Sequence, residues 1–156
     1  INQSTNKGDD MGRIKNVSDT ALWVAFHRGE EGKRPDAVFH DPLSLKLAGV
    51  AGEQIARQMS GGDFMSWMMA MRTVAIDRMI TRAVENGVTR VINLGAGLDT
   101  RPYRISLRPG VKWIEVDFSG IIDYKNSLLS GETPNFHVTR VALDLTDPIE
   151  RGNFFA

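Results

Sequence analysis

Three short stretches of this chain carry residue types suited to holding a nucleoside, and each ends an apolar run. The first is Asn93-Leu94-Gly95-Ala96-Gly97-Leu98-Asp99. Two glycines spaced by one residue let the backbone turn sharply and approach a ligand closely. A dinucleotide fingerprint wants a third glycine three positions after the second, and Thr100 stands there instead, which disfavours a nicotinamide or flavin site. A plain tight turn would also use Gly-Ala-Gly; its place between a buried strand and a helix favours the ligand reading. The second stretch, Glu115-Val116-Asp117, puts Asp117 twenty residues after Gly97. An acid there accepts hydrogen bonds from two ribose hydroxyls, a spacing that suits nicotinamide and S-adenosylmethionine sites alike. The competing reading is a solvated strand-end carboxylate, and Glu115 is the nearest rival for the role. The third is Leu143-Asp144-Leu145. Asp144 is placed to accept from an adenine amine, while Leu145 offers its amide to a ring nitrogen and its side chain to the ring. Taken alone, Asp144 reads equally well as a capping or loop residue. Three such features at three consecutive strand ends rarely coincide, and ligands of open α/β sheets bind at the carboxyl ends of strands.

The elements that would position these residues follow from patterning. Val88 to Leu94 is a β-branched, nearly continuous apolar run that reads as a buried parallel strand. Thr100 to Leu107 is a turn or short helix with Pro102 in its first turn. Val111 to Val116 is a second strand. Ser119 caps a helix carrying Ile121, Ile122, Tyr124, Leu128 and Leu129. Phe136 to Leu145 is a third strand, and Asp147-Pro148-Ile149 starts another helix. Alternating strands and helices mark a parallel α/β sheet. Upstream, a helix starts near Thr20 under a Ser18 or Asp19 cap and is broken by Gly29, Gly32 and Pro35; Asp41-Pro42 opens a second, short one. Gly61-Gly62 marks a loop. Asp63 to Asn86 is strongly helical, with Phe64, Trp67, Met68, Met71, Ala75 and Met79 at spacings of three and four. That stripe reads as core packing, with a substrate pocket as the minority reading. The organisation expected is an arm at 1–17, a helical cap and lead-in helix at 18–86, and the first half of an α/β domain at 87–156.

Bulk properties narrow the function class. Lys plus Arg and Asp plus Glu number 19 each among 156 residues, so the balance is neutral. Neither nucleic acid nor an anionic membrane is suggested as a partner. There is no cysteine, so disulfides, thiolate metal sites and cysteine nucleophiles are excluded, and a reducing, cytoplasmic location is expected. No apolar run reaches the ~20 residues of a membrane span. His27, His40 and His137 are the only histidines; none falls in a metal or triad spacing, and packing or surface roles suit them better. No metal site and no catalytic base are assigned.

Val91-Ile92-Asn93-Leu94-Gly95-Ala96-Gly97-Leu98-Asp99-Thr100-Arg101 resembles the glycine motif of leucine carboxyl methyltransferase-like proteins. Glu115-Val116-Asp117 followed by Lys125 resembles that family's second motif, and Asp144-Leu145 its adenine motif. Ser18-Asp19-Thr20-Ala21-Leu22-Trp23, Arg34-Pro35-Asp36 and Phe39-His40-Asp41-Pro42 are similar to the N-terminal cap of its bacterial polyketide-methyltransferase-like branch, as are Met71-Arg72-Thr73 and Ile76-Asp77. The resemblance covers most of residues 18–147. It implies a Rossmann-like class I methyltransferase fold, a seven-stranded sheet with an added helical cap, of which this chain holds the N-terminal half. It implies S-adenosyl-L-methionine as cofactor, held by Gly95, Ala96, Gly97, Asp117, Asp144 and Leu145, with Arg72 pairing with its methionine carboxylate. Where eukaryotic protein-phosphatase methyltransferases carry a cofactor-contacting lysine, Val24 stands here, which argues against a protein C-terminus as acceptor. A small-molecule carboxylate or hydroxyl is the expected acceptor. The rival classes are a nicotinamide-dependent oxidoreductase and a non-catalytic nucleoside-binding module. With three strands of seven, the third strand is expected to leave an open edge or apolar face. Either a missing C-terminal half or a second copy of the chain would cover it.

Overall fold

The computed structural model describes residues 17–59 and 62–156. All but the last residue of the expected arm therefore lies outside the described residues, as does Gly61. Three helices come first: α1 (Val17–Glu31), α2 (Pro42–Gln58) and α3 (Gly62–Glu85). Strands and helices then alternate through β1 (Arg90–Leu94), α4 (Arg101–Arg104), β2 (Lys112–Asp117), α5 (Ser119–Leu129), β3 (His137–Ala142) and α6 (Pro148–Phe155). The three strands form one parallel sheet in the order β1-β2-β3. This is the expected α/β, Rossmann-like arrangement, with a helical layer in front of it.

Several local expectations are corrected. α1 begins at Val17 and places Ser18 and Asp19 in its first turn rather than at the cap. It also runs through Gly29 instead of ending there. The reason is packing: a Cβ at Gly29 would stand 2.4 Å from Leu45 Cγ and 2.9 Å from the Leu45 backbone nitrogen. Across the same crossing, a Cβ at Gly52 would stand 2.7 Å from the Leu22 carbonyl oxygen. The two glycines let α1 and α2 approach nearly backbone to backbone. Leu47, Ala48 and Ala25 close the joint, together with Leu98 and Leu129 from the sheet side. α2 is longer than its sequence suggests because the helix resumes after a kink at Gly49, where φ is 55°. Phe118, not Ser119, occupies the cap position of α5, with no side-chain hydrogen bond there. Asp147 caps α6 as expected, accepting from the amides of Ile149 and Glu150.

Among the described residues β2 is the central strand, and β1, expected to be buried, is largely exposed. Trp113, Glu115 and Val116 are wholly buried, whereas Ile92 and Leu94 of β1 are 41 % and 47 % exposed. Both β1 and β3 pair only with β2 among the described residues, so each presents an open edge. The α3 stripe differs most from its sequence reading. Phe64, Trp67 and Met79 are 65 %, 54 % and 68 % exposed, and the helix buries Met69, Ala70, Thr73 and Val84 instead. Met69 packs with Trp23 and Ile55 in a second small core. Periodicity shows that a helix has an apolar face; it does not say whether this chain supplies the surface that covers it.

Adding one methyl at the α1–α2 crossing should be costly. Gly52→Ala is expected to lower stability by about 1–3 kcal/mol, the usual cost of overpacking a tight core, as read from urea denaturation. An unchanged midpoint would mean that the helices can move apart freely.

Candidate ligand-binding cleft

β1 delivers the chain to Leu94, and the backbone then turns at Gly95 (φ 62°) and Gly97 (φ 51°). Both values lie in the left-handed region, where a side chain is strained. Nothing among the described residues would touch a Cβ at Gly95, so conformation, not crowding, demands glycine there. The loop is tied down on β2: the Ala96 amide donates to the Val116 carbonyl at 3.1 Å, and the Gly97 amide to Asp117 Oδ2 at 2.7 Å. Asp117 Oδ1 accepts from the Phe118 amide at 2.8 Å.

In front of this loop is a cleft of about 460 Å³. One wall is the end of β1 and the glycine loop. The other is α3, through Met69, Arg72, Thr73 and Ile76, with Thr20, Val24 and Arg28 of α1 between them. Arg72 is exposed, and its guanidinium has no hydrogen bond or ion pair among the described residues. The cleft thus brings together Arg72, Gly95, Ala96 and Gly97. Asp117 is buried, bonded to Gly97 of the loop, and is not among the residues that line the cleft. Asp144 and Leu145 follow β3, beyond β2, and do not line it either. The Asp144 carboxylate accepts from the Thr146 amide (2.8 Å) and hydroxyl (2.6 Å). The Thr146 hydrogen bonds hold it below the usual carboxylate range. The Leu145 carbonyl accepts from Arg151.

A largely buried cluster of charges runs from the cleft wall, where Arg28, Asp99 and Arg101 line it, into the interior. Asp41 caps α2, accepting from the Ser44 amide (3.2 Å) and hydroxyl (2.7 Å). It also takes the Thr100 hydroxyl on both oxygens, at 2.7 and 2.6 Å. Arg28 Nε lies 3.3 Å from it and Arg104 Nε 3.5 Å. Arg28 donates onward to the Leu98 carbonyl, which fixes the far side of the glycine loop. Asp99 accepts from Asn93 Nδ2 at 2.9 Å, from the Arg101 amide at 2.8 Å and from Arg101 Nη1. Asp77 on α3 then takes Arg101 Nε at 2.7 Å and Arg104 Nη1 at 2.6 Å. Burial pushes the Asp99 carboxyl up, but Arg101 and Arg28 outweigh it and hold its pKa at about 2.

A second cluster stabilises the sheet. Glu115, the rival to Asp117, is fully buried and bound to Lys125 Nζ at 2.7 Å and Arg140 Nε at 2.8 Å. Burial lowers the Lys125 pKa, against the pull of Glu115. Glu115 is therefore committed inside the protein. His27 is also buried, with Nδ1 2.8 Å from Ser66 Oγ; burial lowers its pKa, opposed by Glu30. Among the described residues no group of three or more His, Asp or Glu could hold a metal ion, and no helix is long and apolar enough to cross a membrane. Spacing did not single out Asp41, Asp77 or Asp99 as partners of the loop. The one available signal is Asp41-Pro42, which marks a helix cap; contacts to Thr100, 59 residues away, leave no trace in local pattern.

The family model described as leucine carboxyl methyltransferase matches residues 21–151. Curated relatives include a protein of Mycobacteroides abscessus, 31 % identical over 91 % of this chain and 49 % of its own length. One from Streptomyces coelicolor is 32 % identical over 82 % of this chain and 49 % of its own length. One from Parafrankia is 34 % identical over 84 % and 46 %. Each is named for an inferred S-adenosyl-L-methionine-dependent methyltransferase activity. The chain spans about half the length of these relatives.

Asp99 predicts a pH dependence. Its folded pKa, about 2, lies below the ordinary 3.8. The stabilisation, about 2 kcal/mol by linkage, is therefore complete above pH ~4 and lost as pH falls toward ~2. Urea midpoints measured across that range should fall for the protein and fall less for Asp99→Asn. The variant should also be less stable at neutral pH, because Arg101 and Arg28 lose a buried counter-charge. Parallel curves for the two proteins would contradict the shifted pKa.

Proposed function

Because this chain belongs to the leucine carboxyl methyltransferase family, we propose that it provides the S-adenosyl-L-methionine site of a methyltransferase acting on a carboxylate or hydroxyl oxygen of a small molecule. The observation that carries the reading is the cleft itself, where Arg72, without a partner among the described residues, lines one wall and the glycine loop at a strand's carboxyl end the other. The residues fit this cofactor. The cleft volume lies within the ordinary range for small-molecule sites, and the space at Gly95, open among the described residues, admits a ligand against the backbone.

In this reading Arg72 holds the methionine carboxylate with two parallel hydrogen bonds. Gly95, Ala96 and Gly97 let the backbone follow the ligand closely. Asp117 spends one lone pair of each oxygen on a backbone amide and retains others for the ribose hydroxyls. Asp144 and Leu145 receive the adenine; in-register pairing of the strands sets their end of β3 beside Asp117. The bound cofactor supplies a methyl group on a sulfonium, already an excellent leaving group. The protein's task is mainly alignment, which in favourable cases is worth roughly 7–11 kcal/mol. A carboxylate acceptor is ionised at neutral pH and needs no base; a hydroxyl acceptor would gain from one. A nicotinamide site is opposed by Thr100, buried with its hydroxyl on Asp41 where the fingerprint needs glycine.

Calorimetry with S-adenosyl-L-methionine, S-adenosyl-L-homocysteine and NAD in parallel tests the reading. The two sulfur ligands should bind and NAD should not; binding of NAD alone would overturn it. A methyl-transfer assay on the full-length protein separates an enzyme from a nucleoside-binding module. Arg72→Lys should weaken S-adenosyl-L-homocysteine about 10–100-fold, the scale of a lost charge-assisted bond. Asp117→Ala should cost a similar factor. Wild-type affinity in either variant removes that residue from the site.

A further inference from the structure

α3 carries Arg72, and the glycine loop forms the opposite wall of the cleft, so a ligand touching both depends on the distance between them. Among the described residues, every hydrogen bond and ion pair joining α3 to the loop or to α4 ends on one side chain, Asp77. It lies five residues after Arg72 on the same helix. Its Oδ1 accepts from Arg101 Nε at 2.7 Å and Arg104 Nη2 at 2.9 Å, and its Oδ2 from Arg104 Nη1 at 2.6 Å. Arg101 passes the link to Asp99, and Asp99 grips Asn93 at the end of β1. Arg104 is braced from another side by the Phe39 ring, 5.0 Å from its guanidinium carbon. The loop end of this relay is therefore held firmly, and α3 is the part attached to it through a single carboxylate.

We propose that Asp77 is a positioning residue for the cofactor, clamping the helix that bears Arg72 to the glycine loop at the width the ligand must span. The inference rests on the assignment of the cleft to S-adenosyl-L-methionine. Asp77 does not line the cleft, so it acts through Arg101 and through the placement of α3. A ligand anchored at both walls loses affinity when the walls move independently, because binding must then order them. A ligand that touches only the strand-end wall does not. A residue that merely balanced the charges of Arg101 and Arg104 would affect both ligands equally.

The test compares S-adenosyl-L-homocysteine with adenosine, which lacks the carboxylate, on the full-length protein by calorimetry. Asp77→Asn should weaken S-adenosyl-L-homocysteine about tenfold while adenosine stays within about twofold, and Asp77→Glu should recover much of the loss. Arg72→Lys should cost far less in the Asp77→Asn background than in the wild type. Equal losses for the two ligands, or additive effects of the two substitutions, would overturn the clamp. A ligand-free readout covers the case of a poorly binding variant. With no cysteine in this chain, Arg82→Cys and Asp123→Cys can carry spin labels, and Asp77→Asn should broaden the distance distribution between them. An unchanged distribution in a protein that binds S-adenosyl-L-homocysteine overturns the clamp alone. A wild-type protein that does not bind S-adenosyl-L-homocysteine removes the cofactor assignment and this inference with it.

Discussion

The arrangement depends on one buried carboxylate. Asp41 is the cap of α2, the acceptor for Thr100, and the counter-charge beside Arg28 and Arg104. A buried charge is tolerated only when it is paired and hydrogen-bonded, and each of its partners belongs to a different element. Ser44 comes from α2 itself, Arg28 from α1, Thr100 from the end of the glycine loop and Arg104 from α4. None of these elements can leave without stranding a charge or a donor in the interior. The apolar joint between α1, α2 and α5 supplies bulk burial; Asp41 fixes how the helical layer is registered against the strand ends.

That registry explains why the glycine loop can be both open and rigid. Its two glycines sit in left-handed conformations, with space at Gly95 that no described residue fills, a backbone that would be mobile in isolation. Here it is held by Asp117 through Gly97, by Arg28 through Leu98, and by Asp99 through Asn93 and Arg101. Asp117, which holds Gly97, does not line the cleft, while Arg28, Asp99 and Arg101 line it already engaged with their own partners. Arg28, Arg101 and Arg104 are consumed by Asp41, Asp99 and Asp77, while Arg72 is the cleft-lining arginine left without a partner among the described residues. The same economy operates in the sheet, where Glu115 is saturated by Lys125 and Arg140 and Asp117 is not.

α3 shows a different balance. Its buried side is narrow and its wider apolar face, with Phe64, Trp67 and Met79, meets solvent. The open edges of β1 and β3 accompany it. These are surfaces that the described residues do not bury.

Much of the architecture was legible in the chain because local chemistry specifies it. The apolar runs before Gly95, Asp117 and Asp144 became three parallel strands, and glycines at 95 and 97 took the left-handed turn that their spacing suggested. Asp41-Pro42 and Asp147-Pro148 opened helices as caps do. What local pattern could not express was decided by packing between distant segments. Gly29, which reads as a helix breaker, is instead a contact point because Leu45 occupies the space a Cβ would need. The α3 stripe, which reads as core, is exposed because periodicity reports a face and not its cover. Glu115 and Asp117 look interchangeable along the strand, yet Lys125 and Arg140 close on the first and backbone amides on the second. The sequence by itself determined the elements and the turn chemistry of the loop, since these depend on neighbours within a few residues. Only the tertiary structure decided which charges are spent on holding the cleft and which remain to face it, because that follows from side chains brought together from separate segments, as Asp41 and Thr100 are across 59 positions of chain.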